Sequence, residues 1–192
     1  MKLYVRGRLP SRGIAIVGSR TPPSLASTFA YALALRVGEP VVAGLAPGID
    51  AAAHRGALAA GTPTVAFVAY GFGATDPPDF TELEEAIVKA GGAIATLLPP
   101  GTPTSAESRI ARDRLQAEYA RAVVLICSEI EGGALHTMRF ARELQRARFA
   151  VVPPAEASAS PAWGGNLQCI AEGATPLPFE VNAALAGVRG GI

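Results

Sequence analysis

Short apolar runs alternate along this chain with longer segments that have helical spacing. The runs are predicted as strands at residues 14–17, 41–42, 64–69, 93–97, 122–126 and 149–152. The intervening segments are predicted as helices at residues 24–36, 50–60, 79–90, 108–119 and 135–147. Strands that are apolar throughout are buried on both faces, which favours a mostly parallel sheet covered by helices. The expected fold is therefore α/β, a Rossmann-like three-layer sandwich with right-handed crossovers.

The size and composition of the chain limit its organisation. A length of 192 residues suits one domain, which we expect over residues 1–179, with a C-terminal tail at 180–192. Since no apolar run is long enough for a membrane span and the N-terminus lacks the pattern of a secretory signal, we expect a cytoplasmic protein without membrane contact. Cys127 and Cys169 are far apart and fit no metal or redox spacing, so neither a metal nor a cofactor is expected.

The charge of the chain argues against a uniformly basic nucleic-acid binder. Its formal net charge is only +1, so an electrostatic binding surface has to be a local patch. Only Lys2 and Lys89 among the 17 basic residues are lysines. Arginine suits bidentate contacts to phosphate, although an arginine-rich genome explains the same bias.

A glycine turn at the end of the first predicted strand has the outline of an anion site. Gly18 permits a tight turn, Ser19 offers a hydroxyl, and the amides of the following helix point toward whatever lies there. Arg20 adds a positive charge, but a lone arginine after such a turn is more often a solvated surface residue. On its own, this motif is weak evidence for an anion site.

A second turn contains Gly44 and Gly48, which let the backbone approach a ligand closely. Asp50 is predicted to cap the helix that follows, and His54 lies four residues later on the same helical face. A purely structural interpretation of these two side chains is favoured. Asp50 then serves only as a cap, and His54 only hydrogen-bonds to it in a packed interior.

Arg109, Arg112 and Arg114 lie on one predicted helix, and Arg109 and Arg112 share a face. A phosphate-binding face and an ordinary solvated charged face both fit this spacing. If Arg112, like Arg20, is partly solvated, its replacement by Ala should leave folding nearly untouched.

A last glycine turn comprises Gly132 and Gly133 and leads into a helix that carries Thr137, whose first-turn amides could hold a second phosphate. Behind this turn, Arg142 and Arg146 are assigned to the solvent face of the helix.

Taken together, these strings resemble the DNA-processing protein A (DprA/Smf) family. The segment VVAGLAPGIDAAAHRGAL is similar to the family's signature Gly-Leu-Ala-x-Gly-Ile-Asp-x-x-Ala-His-x-Gly-Ala-Leu. LYVRGRLPSRGIAIVGSR, DPPDFTEL, ARDRLQAEYARAVVLI, GGALHT and GGNLQCIAEGA follow the family's remaining motifs in order, so the resemblance spans nearly the whole chain.

The resemblance implies a Rossmann-like core that binds single-stranded DNA in a basic pocket, forms a homodimer, and hands the strand to the recombinase RecA during natural transformation. It implies no catalytic residue. Carried over by position, the candidates for the DNA pocket are Gly18, Ser19, Arg20, Arg112 and Arg114, and the residues that would shape the neighbouring turn are Gly44, Gly48, Asp50 and His54. The helix and turn patterns add Arg109, Gly132, Gly133 and Thr137 to the candidates for DNA or phosphate binding.

The chain also departs from the family pattern. Asp113 replaces the middle Asn of the family's Arg-Asn-Arg, and Cys127 replaces a Glu at a strand end. A carboxylate beside a phosphate weakens binding, so Asp113 favours a diverged paralogue.

Two other functions compete with DNA binding. Lonely Guy phosphoribohydrolases bind phosphate with a Pro-Gly-Gly-x-Gly-Thr-x-x-Glu turn, which Gly132, Gly133 and Thr137 half-fit. Phe140, however, stands where the catalytic Glu is expected, and cleavage of a glycosidic bond needs a carboxylate. The other alternative is a nucleotide-sensing domain that keeps the phosphate turns and does not bind DNA.

Overall fold

The structure is a computed structural model that describes residues 2–74 and 80–192. Its strands are β1 (Tyr4–Gly7), β2 (Ile14–Val17), β3 (Val41–Ala43), β4 (Thr64–Phe67), β5 (Ala93–Thr96), β6 (Ala122–Leu125), β7 (Ala147–Val151) and β8 (Thr175–Leu177). Its α-helices are α1 (Ser24–Arg36), α2 (Ile49–Ala59), α3 (Thr81–Lys89), α4 (Ala106–Tyr119), α5 (Ala134–Glu143), α6 (Gly164–Ala171) and α7 (Val181–Gly190).

The strands form one sheet in the order β1-β5-β4-β3-β2-β6-β7-β8. All neighbours pair in parallel except β1, which is antiparallel to β5 at one edge. The chain builds outward from β2 to β5 and then returns to lay β6 on the other side of β2. In open α/β sheets, ligands bind beyond the carboxyl ends of the strands at such a reversal. A ligand site is therefore expected at the carboxyl ends of β2 and β6.

Alternate residues of the central strands supply the two halves of the core. Ile14 and Ile16 pack in one apolar cluster with residues of α1, α2 and α7, whereas Ala15 and Val17 pack in another with residues of α4, α5 and α6. Side chains of successive strand residues point to opposite faces, which explains the division. Burial on both faces is what the continuous apolar runs of the sequence predict, and the α/β Rossmann-like sandwich is confirmed.

The structure contains every strand and helix that the sequence predicts; β2 and α1 have the predicted bounds, and the ends of the others are shifted. Helix α5 ends at Glu143 rather than residue 147 because Gln145 has a φ of 54° and the chain enters β7 at Ala147. The predicted start of α3 at residue 79 lies outside the described residues, as do residues 76–79 of the DPPDFTEL segment.

Among the described residues, two strands and two α-helices were not expected, namely β1, β8, α6 and α7. The segment 180–192, predicted as a tail, is mostly helix α7. Its first turn is capped by the carboxylate of Glu180, which accepts hydrogen bonds from the amides of Asn182 and Ala183. Leu185 and Val188 are buried in the core, so the segment packs against the domain.

Candidate functional site

A cavity of about 470 Å³ lies at the carboxyl ends of β2 and β6. Its walls come from the turn after β2, the start of α2, one face of α4 and the turn that leads into α5. Nine of the residues predicted from the sequence line it, namely Gly18, Ser19, Arg20, Asp50, Arg109, Arg112, Gly132, Gly133 and Thr137. The volume is in the range of ordinary small-ligand sites and suits one nucleotide better than a duplex.

Backbone hydrogen bonds to two neighbouring segments fix the turn after β2. The amide of Ser19 donates to the carbonyl of Cys127 at 2.7 Å, and the carbonyl of Ser19 accepts from the amide of Ile49 at 3.1 Å. Gly18 leaves no space for a side chain, because a Cβ would lie 2.7 Å from the Ile49 side chain and 2.8 Å from the Cys127 carbonyl. Arg20 is exposed and projects at the cavity mouth on this fixed turn.

Gly44 and Gly48 do not line the cavity but let its walls approach each other. Gly48 has a φ of 79°, and a Cβ there would lie 2.4 Å from the carbonyl oxygen of Ser19. A Cβ on Gly44 would lie 1.7 Å from Nη1 of Arg112 and 2.5 Å from Oδ2 of Asp50. Gly48 is therefore required for its backbone conformation, and Gly44 is required because a side chain there has no space.

A buried charge cluster forms the inner end of the cavity. Arg112 is only 9% exposed, and its Nε lies 2.9 Å from Oδ1 of Asp113. Its Nη1 lies 3.8 Å from Oδ2 of Asp50. Burial raises the pKa of Asp50 to about 6 despite the opposing effect of Arg112, and burial likewise raises the pKa of Asp113. The single guanidinium thus lies beside two buried carboxylates.

This cluster bears on two points of the sequence analysis. Arg112 is buried, so the condition of partial solvation is not met, and its replacement is expected to destabilise the fold. Asp50 does not cap α2, because the residue at the N-cap is Gly48 and Asp50 lies in the first helical turn. The carboxylate of Asp50 instead accepts a hydrogen bond from the backbone of Ala46.

His54 is a structural residue in this fold. It is fully buried, with Nε2 at 2.6 Å from the carbonyl of Gly44 and Nδ1 at 2.8 Å from the hydroxyl of Thr64. Burial lowers its pKa to about 4, so the ring is neutral at physiological pH. We assign the proton of the neutral ring to Nε2, because the carbonyl of Gly44 can only accept a hydrogen bond. The expected bond to Asp50 is absent from the contacts of this ring, which joins β4 to the turn after β3.

Arg114 lies away from the cavity. It is exposed on the outer face of α4, where its Nε donates to Glu118 at 2.8 Å and its guanidinium lies 5.4 Å from the ring centre of Phe140. Arg109 and Arg112 therefore face the cavity, and Arg114 does not.

Gln116 lines the cavity and Asn166 supports one of its walls, and neither role was predicted from the sequence. Asn166 is fully buried and orders the end of β6, since its Oδ1 accepts from the amide of Ser128 and its Nδ2 donates to the carbonyls of Ile126 and Val151, each at 2.9 Å. Gln116 lines the cavity four residues after Arg112, so the helical spacing could have identified it.

Comparison with known proteins places this chain in a family. Residues 1–186 match the family described as DNA recombination-mediator protein A. The chain belongs to this family. It is 38% identical over 152 residues to a putative DNA processing protein DprA of Mycobacterium tuberculosis, covering 78% of this chain and 39% of that protein. It is 33% identical over 159 residues to protein Smf of Synechocystis, covering 78% and 40%. The chain thus spans about two fifths of the length of these curated relatives.

Solved structures of the recombination-mediator family have the same fold. DNA processing protein A of Streptococcus pneumoniae superposes with a TM-score of 0.84 and 26% identity over 96% of this chain and 65% of that one. DNA processing protein A of Helicobacter pylori superposes with a TM-score of 0.83 and 20% identity, over 98% of this chain and 86% of that one. The molybdenum cofactor carrier protein of Chlamydomonas reinhardtii superposes with a TM-score of only 0.61 and 16% identity, over 94% of this chain and 98% of that one. This is a likeness of fold alone.

No α-helix in residues 2–74 and 80–192 has both the length and the apolar composition that a membrane crossing requires. Within the same ranges, no group of three or more His, Cys, Asp or Glu side chains is arranged to hold a metal ion.

Proposed function

We propose that this chain binds single-stranded DNA at the cavity mouth and acts as a recombination mediator without catalysing a reaction. The observation that carries the proposal is the placement of Arg20 and Arg109 at one open cavity, between two glycine turns at the reversal point of the sheet. Family membership supports it, and the Helicobacter pylori relative is described by its single-stranded DNA binding mode.

The chemistry of the mouth suits a phosphate backbone. Arg20 and Arg109 offer charge-assisted donors, and the backbone at Gly132 and Gly133 leads into the N-terminus of α5, which favours anions. Since the walls enclose a volume near that of one nucleotide, a flexible strand fits more readily than a stiff duplex.

The proposal excludes the phosphoribohydrolase alternative on the same residues. Phe140, which occupies the position of the expected catalytic Glu, is buried and lies near the guanidinium groups of Arg114 and Arg139. An apolar ring there cannot stabilise an oxocarbenium-like state. Incubation with AMP should therefore release no adenine by chromatography, and release of the base would contradict the proposal.

The proposal extends to partners in the cytoplasm. As its family resemblance implies, the protein would act as a homodimer and deliver the bound strand to RecA. Light scattering with and without oligonucleotide tests the dimer, and a strand-exchange assay with RecA tests delivery.

A titration by fluorescence anisotropy tests DNA binding itself. A labelled single strand should bind more tightly than the same sequence as a duplex. If the mouth holds about three to six phosphates, the plot of log affinity against log salt should have a slope of about 2 to 4 in magnitude, at roughly 0.7 per phosphate. Equal affinity for the duplex, or an affinity independent of salt, would remove the basis of the proposal.

A further inference from the structure

The inner end of the cavity has more hydrogen-bond acceptors than the neighbouring donors satisfy. Asp50 and Asp113 are both buried there and share one guanidinium, that of Arg112, at 3.8 Å and 2.9 Å. Gln116 is 2% exposed and lines the same cavity. Its Nε2 donates to Oδ1 of Asp113 at 3.5 Å, and its Oε1 has no hydrogen-bond partner among the residues that the structure describes. A buried acceptor without a partner is costly, so this end of the cavity lacks a donor.

A proton on Asp113 would supply the missing donor. Protonation turns one oxygen of the carboxyl from an acceptor into a donor. When the amide of Gln116 turns over, its Oε1 accepts from that carboxyl, and its Nε2 takes the former place of the unpartnered oxygen. The proton thus changes both the charge of this end and the hydrogen-bonding group that Gln116 offers. Both changes favour an anion in the cavity.

The surrounding charges determine when such a proton binds. The charged or titratable side chains that face the two carboxyls or line the same cavity are Arg20 on the turn after β2, Arg109 and Arg112 on α4, Glu129 before α5, and His136 on α5. Burial raises the pKa of Asp50 to about 6, against the opposing effect of Arg112, and burial also raises the pKa of Asp113. An anion in the cavity adds a negative charge beside both carboxyls, which raises both pKa values further.

We propose that Asp50 and Asp113 form a proton site coupled to anion binding, which takes up one proton from solvent when a strand places a phosphate in the cavity. The inference rests on the proposed function of the cavity and adds a regulation by pH to it. With one proton bound, the pair carries a single negative charge, which the guanidinium of Arg112 balances. Because linkage is reciprocal, a proton that follows the strand must also strengthen the binding of that strand.

The proposal accounts for the carboxylate of Asp113 at a position where the family resemblance has Asn. An Asn carries no charge and offers a donor to Gln116 at every pH, whereas an Asp does so only when it is protonated. Asp113→Asn should therefore bind single-stranded DNA about tenfold more tightly than the wild type at about pH 8, and the two affinities should converge toward about pH 6. A residue with only a structural role would not increase the affinity when it is replaced.

Calorimetry of the full chain with a thymidine oligonucleotide measures the proton directly. The strand carries no terminal phosphate, because backbone phosphates do not titrate near neutral pH. Titrations at about pH 7 in two buffers with different enthalpies of ionisation should report an uptake of about half a proton per bound strand, and the affinity should rise about tenfold from about pH 8 to about pH 6.

Variants assign the proton to the two carboxyls. Asp113→Asn and Asp50→Asn should each abolish most of the uptake, because Arg112 balances a single remaining carboxylate. Glu118→Gln removes a carboxylate from the outer face of α4, and His136→Gln removes the imidazole that faces Asp113. Both of these control variants should keep the uptake.

The outcomes separate this inference from the proposed function. Strand binding without proton uptake, uptake that persists in both aspartate variants, or uptake that is lost in His136→Gln overturns the inference and leaves DNA binding intact. If no oligonucleotide binds, the proposed function fails, and sulfate, which does not titrate in this range, replaces the strand. Proton uptake with sulfate then supports the coupled site, and absent uptake or absent binding overturns it. If thermal melting shows an unfolded Asp113→Asn, the wild-type uptake and Asp50→Asn stand as the test.

Discussion

Replacing Arg112 tests the energetic role of the buried charge cluster. Arg112→Met keeps the length of the side chain but removes the guanidinium that lies 2.9 Å from Asp113 and 3.8 Å from Asp50. The Coulomb attraction at such distances is large, but burial has already cost all three groups their hydration. Removing one partner of a buried pair typically costs about 3 to 5 kcal/mol, because the remaining charge is uncompensated. A loss of this size is a large part of the roughly 5 to 15 kcal/mol that stabilises a domain.

The loss should depend on pH in a defined direction. The folded-state pKa of Asp50 is about 6, raised from 3.8 by burial, so between these values the folded state binds more protons than the unfolded state. Stability from this group therefore rises as the pH falls through 6 and is lost as the pH rises above it. Without Arg112 the pKa of Asp50 rises further. The loss of stability of Arg112→Met relative to the wild type should therefore shrink, by up to about 1.4 kcal/mol per carboxyl, for each unit by which the pH falls.

Urea unfolding followed by circular dichroism, from about pH 8 to about pH 5, measures both effects. Arg114→Met is the matched control, because Arg114 lies on the same helix with its charge exposed and should change stability by less than about 0.5 kcal/mol. Adding Asp50→Asn and Asp113→Asn to Arg112→Met should recover most of the loss. If Arg112→Met is as stable as Arg114→Met, or if its loss of stability does not vary with pH, then Arg112 does not stabilise the fold by compensating the charges of Asp50 and Asp113.

Two further variants separate binding from stability. Arg20→Ala should lower the affinity for single-stranded DNA by about 1 to 3 kcal/mol in anisotropy titrations, with Lys intermediate because it lacks the bidentate fork, while the exposed Arg142→Ala changes it little. Equal losses for both would indicate diffuse charge. Gly44→Ala should cost about 1 to 3 kcal/mol of stability in thermal denaturation by displacing Arg112, whereas Gly190→Ala, with open space around its Cβ, should be neutral or stabilising. A neutral Gly44→Ala would contradict the close packing at that turn.

The central fold was predictable because its determinants are local. Strands such as β2 and β6 are apolar throughout, and each is followed by a polar or glycine-containing turn and a helix with a regular spacing. The edge strands escaped prediction because their signals are weak. β1 carries charged and exposed residues, and β8 has only Thr175, Pro176 and Leu177. Helix α7 has few polar residues to mark its period, and only its packing on the core reveals it.

The site was predictable at its glycine turns and less so in its electrostatics. Turn chemistry depends on a few adjacent residues, so Gly18 and Gly48 could be assigned from the sequence. Whether an arginine is buried depends on which elements meet it in space. Arg112 and Arg114 are two residues apart, yet one faces the cavity under Gly44 and the other faces solvent. The helix phase could not decide this without knowing which face of α4 covers the sheet.

The phosphates that a bound strand places near the cavity lead to a last expectation about salt. Each phosphate that an arginine neutralises releases counterions, so every such contact with a single strand adds about 0.7 to the magnitude of the slope of log affinity against log salt. Arg20 is exposed and lines the cavity, so Arg20→Ala should lower that magnitude by about 0.7 when the anisotropy titrations are repeated at several salt concentrations. Arg142→Ala is the control, because Arg142 is paired with Glu172 outside this cavity and its replacement should keep the wild-type slope. An unchanged slope for Arg20→Ala, or an equal fall for Arg142→Ala, would mean that Arg20 makes no direct phosphate contact.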